Sequence, residues 1–453
     1  MKVHAVPPMT VRGTPMRAGP RTLAGRPAGH LPRVEALSTP ATPLRILVGS
    51  FVLLSTAIAL QLPEPIRVDC TVLRYAVLGL TSVVCLVFLR LIHLSAQAIA
   101  WCISAIYASA TVLYTIDVPA TVLRAATFGA LVFGVFLGAA ICHSSPTARP
   151  SRLLETMSVL TAALALLAVA AWALGMPSSF LQGGGYVRGY FLHSNSLGAF
   201  GAMWTTIAVG LADQSPSRFR RVAVVAALAM LTALLGSRSR AGLGAAVTGI
   251  ALYVLVTRSL HRLLSAAIII ATLAVLTVTT ISAIGTETRD RTKEFVYKGQ
   301  SRDLFFSRRE NLETGWNNFM SSPWIGYGFG TSPGQVSMGW RVVGLGGREK
   351  GNAIIAVLEE TGVIGSVFLC LPIVFIVAQG LRYRACAFRM RLRMAGCLPE
   401  VRVGAALWAA TMAGLANNMA EASLWSPGAP FGGMILFLAG AADGTLRRFE
   451  REQ

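Results

Sequence analysis

The sequence predicts an all-α, polytopic membrane protein with about 12 transmembrane helices and one large extracytoplasmic (periplasmic) loop. Three observations predict it. The first is composition: 54% of the 453 residues are hydrophobic and only 13% are charged, with a mean hydropathy of +0.60. A soluble chain carries about a quarter charged residues, so this apolar surplus needs a bilayer as its solvent. The second is that apolar runs of roughly 20 residues, enough to cross ~30 Å of hydrocarbon, recur along the chain. The third is charge asymmetry. With the N-terminus inside and the spans alternating, 24 of the 40 Lys and Arg fall in inner tails and loops, six on short outer connections and ten in the long loop. That split follows the positive-inside rule. The net charge of +20 is accounted for in the same way. A nucleic-acid partner is not expected, because a basic soluble domain does not carry repeated long apolar runs.

The elements follow in order. Residues 1–43 are rich in Pro, Gly and Arg and poor in apolar residues. They cannot bury enough surface to offset the entropy of ordering and read as a disordered cytoplasmic tail. Residues 44–284 hold nine spans, near 44–62, 71–90, 94–115, 120–142, 153–175, 194–212, 221–236, 240–257 and 263–284. The extracytoplasmic loop occupies 285–350, and residues 351–446 hold three more spans, near 352–380, 403–423 and 430–446. Both termini are then cytoplasmic. Inside the loop, Phe305, Leu312, Trp316 and Phe319 recur at helical spacing over Asp303–Ser321. The pattern predicts an amphipathic helix against the membrane face, or one that plugs the bundle, stopped by Pro323 and followed by the Gly-rich turn Gly326-Tyr327-Gly328-Phe329-Gly330. The seven cysteines are scattered without a CxxC or Cys/His cluster. Neither a disulfide frame nor a metal site is indicated, and no cofactor is expected.

Three outer elements set arginines beside small or polar residues. Arg188 precedes Gly189-Tyr190-Phe191-Leu192-His193-Ser194-Asn195 at the entry to the sixth span. Arg238 and Arg240 lie in the tight turn Gly236-Ser237-Arg238-Ser239-Arg240-Ala241-Gly242, and Arg308 and Arg309 open the loop helix. An arginine at the bilayer centre costs about 3 kcal/mol or more, so arginines near that depth need a partner or a task. Guanidinium groups grip phosphate in a bidentate fork, and several together suit a diphosphate. The plainer alternative is that each snorkels to headgroups or pairs with Glu421 or a loop acid. The basic run from Arg382 to Arg393 reads as an inner loop that anchors topology, or as a binder of anionic lipid.

In this order the motifs resemble the O-antigen ligase and polymerase-like membrane proteins over about residues 186–370. The likeness rests on Arg188 through Asn195, Ser239-Arg240-Ala241-Gly242, Arg308 through Pro323 with its Gly-rich turn, and Asn352 followed by Glu360-Thr361-Gly362-Val363-Ile364-Gly365. The resemblance implies a metal-independent glycosyltransferase of the bacterial plasma (inner) membrane in surface or exopolysaccharide biosynthesis. Its partners are then an undecaprenyl-diphosphate-linked glycan donor and a glycan or lipid-linked acceptor. Arg240 and Arg308 are the expected catalytic cations, balancing charge that develops on the leaving diphosphate. Arg188, Arg238, Arg309, Asn195 and Asn352 are expected to bind substrate.

Ligases of this family carry a histidine just before the Asn that opens the tenth span, where this chain reads Lys350-Gly351-Asn352. The substitutes for a general base are His193 and Glu360, each of which has a packing or bracing role as its simpler reading. The departure favours a polymerase over a ligase. Two other classes are a secondary transporter and a polysaccharide-related membrane protein without catalysis. The first is disfavoured by the lack of two self-similar halves, the second by the set of outer arginines.

Overall fold

The structure is a computed structural model that describes residues 94–144, 194–214, 217–258, 306–333, 352–393, 399–421, 424–425 and 430–451, with isolated helical positions at 79, 83, 163, 166 and 170. The expected tail 1–43 and the spans expected at 44–62 and 263–284 lie outside these residues, as do those at 71–90 and 153–175 apart from the isolated positions. The described residues form nine helices. They are α1 (Ala96–Ala110, extended by a 3-10 turn Thr111–Leu113), α2 (Val118–Ser144), α3 (Ser194–Ala212), α4 (Ser217–Gly236) and α5 (Arg240–Thr257). After the loop come α6 (Phe306–Ser321), α7 (Ala353–Arg393), α8 (Pro399–Glu421) and α9 (Pro430–Arg451). No strand occurs among the described residues. Among the described residues, four stretches are long and apolar enough to cross a membrane: Ala96–Leu113, Val118–Cys142, Arg240–Thr257 and Ala353–Met390.

Small residues set how closely these helices approach. A Cβ built on Gly440 of α9 would lie 1.9 Å from the Val135 carbonyl of α2, and one on Gly138 would lie 2.2 Å from the Phe437 carbonyl. These two helices therefore pack backbone to backbone, the geometry small residues permit when lipid supplies no hydrophobic drive between helices. The α3–α5 contact works likewise: Gly242 abuts the Gly198 backbone, and Gly249 abuts Thr206. The successive contacts Gly198–Gly242 and Thr206–Gly249 make α3 and α5 parallel. On α8, Ala413 meets Gly249 and Ala406 meets Gly210, which makes α8 antiparallel to both. Gly380 of α7 abuts Trp408 and Gly404 of α8 abuts Tyr383, so α7 is antiparallel to α8 and parallel to α5. The starts of α3, α5 and α7 thus share one end of the bundle, the rim. The ends of those helices share the other, the base.

Three features of α7 differ from a plain span. It runs on to Arg393, so the basic stretch expected as an inner loop is its last turns. Arg, Leu, Ala and Met are good helix formers, and no Gly or Pro interrupts Leu381–Arg393. Pro372 lies inside the helix and withholds the N–H that would bond the Phe368 carbonyl. Ser104 of α1 supplies the missing donor, its Oγ donating to Phe368 O at 2.8 Å. At Gly362, finally, the backbone leaves helical geometry (φ 64°, ψ −169°).

The base is held by ionic contacts. Asp213, just past α3, accepts from Arg258 and from the Tyr253 hydroxyl (3.0 Å), and Arg402 of α8 lies 3.7 Å from it. Arg382 of α7 pairs with Glu450 of α9 (2.5 Å), and Arg384 donates to the Leu255 carbonyl (2.5 Å) at the end of α5.

Candidate functional site

The break at Gly362 builds the rim. In an unbroken helix the Val363 and Ile364 N–H groups would bond the Glu359 and Glu360 carbonyls. Here the Val363 N–H donates to Pro323 O (2.8 Å) and the Ile364 N–H to Trp324 O (3.1 Å). The two released carbonyls accept from Tyr327 N–H (3.3 Å) and Gly328 N–H (2.8 Å). The turn after α6 therefore satisfies both sides of the break, as buried backbone groups require. Backbones this close leave no room for side chains. A Cβ on Gly362 would lie 2.3 Å from Trp324 C, and one on Gly326 would lie 2.4 Å from Glu360 C. Gly326, Gly328 and Gly330 take φ of +66°, +107° and +78°, values glycine adopts without penalty. The turn reaches into the bundle. Phe329 is fully buried, 5.4 Å from the Phe128 ring, and Phe128 contacts Trp101 and Trp425. Phe329 N–H donates to Thr111 Oγ1 (3.0 Å), which ties the turn to the end of α1.

Two buried carboxylates flank the break. Glu360 accepts from Gly330 N–H at 2.7 Å. Glu359 accepts from Asn318 Nδ2 of α6 at 2.7 Å and from the Ser332 hydroxyl. Gly315 also packs on Ile355. The buried face of α6 is thus Gly315 and Phe319, with Asn318 half-buried, while Trp316 and Met320 are exposed. This departs from the expected apolar stripe. Gly315 lets α6 approach α7, so its docked face is chosen by that contact and by the Asn318 bond to Glu359, and Trp316 is turned away. Trp324 and Ile325 are exposed beside Val363 and Ile364 of α7. Between α1 and α2, the Tyr107 and Tyr114 hydroxyls are 3.2 Å apart.

On the same rim, the α4–α5 turn presents Arg238 and Arg240. Ser237 Oγ donates to Leu234 O (2.7 Å) and accepts from Ser239 N–H (3.2 Å). Ser239 Oγ accepts from Gly242 N–H (3.2 Å) and caps α5. Both serines are buried, and their hydroxyls are occupied in fixing the turn. Arg238 sits at φ +50°, a left-handed conformation that costs a non-glycine residue about 1 kcal/mol or more. Arg240 is the first residue of α5, where the helix N-terminus favours an anion. Asn195 lies in the first turn of α3, one turn before the Gly198 that packs on Ser239.

The remaining candidates fall as follows. Asn352 caps α7, its Oδ1 accepting from Ile354 N–H (2.9 Å) and Ile355 N–H (3.2 Å). Arg309 is exposed on α6 and pairs with Glu313 at 3.0 Å. Arg308 belongs to the first turn of α6; its side chain, like Arg188 and His193, lies outside the described residues. Sequence reasoning passed over Arg124 of α2, whose stem packs on Gly330. It also passed over Asn318 and Ser332, which hold Glu359; only their spatial neighbour reveals that role.

Chemically, arginines at the start of α5 and two carboxyl groups sunk into hydrogen-bonded backbone lie at the same end of the bundle. Such an arrangement suits an anionic leaving group beside a reacting hydroxyl. A search of curated proteins finds no match to the chain. Residues 225–370, which span the α4–α5 turn, α6, the Gly-rich turn and the break in α7, match the family model Wzy_C, O-antigen ligase, so this region of the chain is similar to that family.

Proposed function

We propose that this protein transfers a glycan from undecaprenyl diphosphate to an acceptor hydroxyl at the outer face of a bacterial plasma membrane, as a polymerase of lipid-linked repeat units in preference to a ligase. The supporting observation is the match of residues 225–370 to the O-antigen ligase family, a region that includes the Arg238–Arg240 turn and the Glu359–Glu360 pair at the break in α7. In the reaction, the acceptor oxygen bonds to the anomeric carbon as the bond from that carbon to the diphosphate breaks. The electron pair leaves with the diphosphate, and preorganised cations stabilise the charge that develops. Arg240 and Arg308 are assigned to that charge, Arg188, Arg238 and Arg309 to binding it, and Asn195 and Asn352 to positioning at the starts of α3 and α7. Glu360 or His193 takes the acceptor's proton. No metal is assigned. The polymerase preference comes from Lys350-Gly351-Asn352, where ligases of the family carry histidine.

The test is a surface-polysaccharide gel. Arg240→Ala and Arg308→Ala, each at normal protein level, are expected to abolish long chains while leaving single repeat units attached. Loss of all attached glycan would reassign the protein as a ligase. Wild-type polysaccharide from both variants would remove the arginines from the reaction.

A further inference from the structure

We propose that Arg124, on α2 and outside the O-antigen ligase region, is a further ligand for the donor's diphosphate. The inference rests on the rim being a lipid-diphosphate site and adds a residue from a different part of the chain.

Arg124 is built into the rim. It lies six residues into α2, whose start is fixed by Asp117 Oδ1 accepting from Ala120 N–H (3.1 Å) and by the Thr115 and Thr121 hydroxyls in contact at 2.7 Å. Its stem crosses Gly330. A Cβ there would lie 2.2 Å from Arg124 Cδ, 3.1 Å from its Cβ and 3.2 Å from its Cγ. The space a side chain at 330 would fill is the space the arginine stem occupies, and φ of +78° keeps that position for glycine.

The charge of Arg124 is unspent. Gly330 N–H donates to Glu360 Oε2 at 2.7 Å, so a carboxylate lies about one residue's width from the stem. Arg124 nevertheless makes no ion pair or hydrogen bond among the described residues. A guanidinium cannot shed its proton to escape this situation. It is half-buried, between the exposed Val122 and Leu123 and the buried Ala125. With its stem held and its fork unengaged, it is preorganised for a bidentate contact with phosphate oxygens. The same chemistry would hold a phospholipid headgroup, so the test separates the two sources.

Full-length protein is reconstituted in phosphatidylcholine nanodiscs and titrated with undecaprenyl diphosphate, undecaprenyl monophosphate or phosphatidylglycerol, with binding read by native mass spectrometry. Wild type is expected to favour the diphosphate over both others. Arg124→Gln is expected to weaken diphosphate binding about tenfold and to leave phosphatidylglycerol binding unchanged. Diphosphate affinity like wild type in Arg124→Gln, alongside its loss in Arg240→Ala, overturns the role of Arg124 and leaves the rim as the site. Equal weakening towards diphosphate and phosphatidylglycerol makes Arg124 a headgroup contact and also overturns the proposal. Failure of wild type to bind the diphosphate overturns this inference and the proposed function together. Should Arg124→Gln not fold, Arg124→Lys keeps stem and charge but loses the fork: a severalfold loss of diphosphate affinity supports the proposal, and unchanged affinity overturns it.

Discussion

Glu360 and Gly328 show what single residues contribute at the rim. Glu360 accepts the Gly330 N–H from within the bundle, and an amide oxygen can take over that acceptor role. Glu360→Gln is therefore expected to lower stability by less than about 1 kcal/mol, and Glu360→Ala by about 1–3 kcal/mol, since the latter orphans a buried donor. Thermal unfolding in detergent measures both. Gly328→Ala places a Cβ 2.2 Å from Thr115 Oγ1 at a φ of +107°, so it should destabilise more than Glu360→Gln on the same scale. At this scale the sequence was informative where local chemistry is self-contained. Gly236-Ser237-Arg238-Ser239-Arg240 reads as a turn into a helix, and it is one, with Ser239 as the cap. Asn352 was legible as the residue that opens the tenth span, and its bonds to Ile354 and Ile355 N–H make it the cap of α7. Arg124 was visible only as one outer arginine among six. Its link to Gly330 joins positions about 200 residues apart, which no periodicity encodes.

Two helices were legible to their ends. The runs at 194–212 and 240–257 coincide with α3 and α5. The long α7 was not, because its irregularities are resolved by other elements. Pro372 frees the Phe368 carbonyl, and Ser104 of α1 takes it up. A double-mutant cycle tests this link. Ser104→Ala alone should cost about 1–3 kcal/mol. In a Pro372→Ala background it should cost much less, because residue 372 then donates its own N–H to that carbonyl. Equal costs in both backgrounds would mean that the Ser104 bond does not compensate for the proline. The loop helix gives a parallel lesson. Its apolar spacing called for a helix, and α6 is one, but Asn318 and Gly315 decide the face it buries. A polar pair outweighs a modest apolar stripe there.

At the scale of the molecule, the helices meet through glycine and alanine, so van der Waals contact between backbones carries the packing. Gly440→Leu forces side-chain volume into the Val135 carbonyl and is expected to abolish recovery of folded protein by size-exclusion chromatography. Gly244, exposed on α5 with nothing within 4 Å of a built Cβ, is the matched control. Gly244→Ala should be neutral or stabilising by up to about 1 kcal/mol. Composition and charge made the all-helical membrane class legible. They did not reveal which helices touch, since small residues are spread through nearly every span and α2 pairs with α9 from the far end of the sequence.

The fracture at Gly362 makes the Gly-rich turn a splint. Its four backbone bonds replace the two that α7 gives up, within the stretch Ala353–Met390 that is apolar enough to cross a membrane. Lifting the turn away would strand four peptide groups, at several kcal/mol each wherever water is scarce. This segment is therefore no lid. For the proposed lipid-linked donor, entry is then expected sideways, between helices, while the splint stays seated.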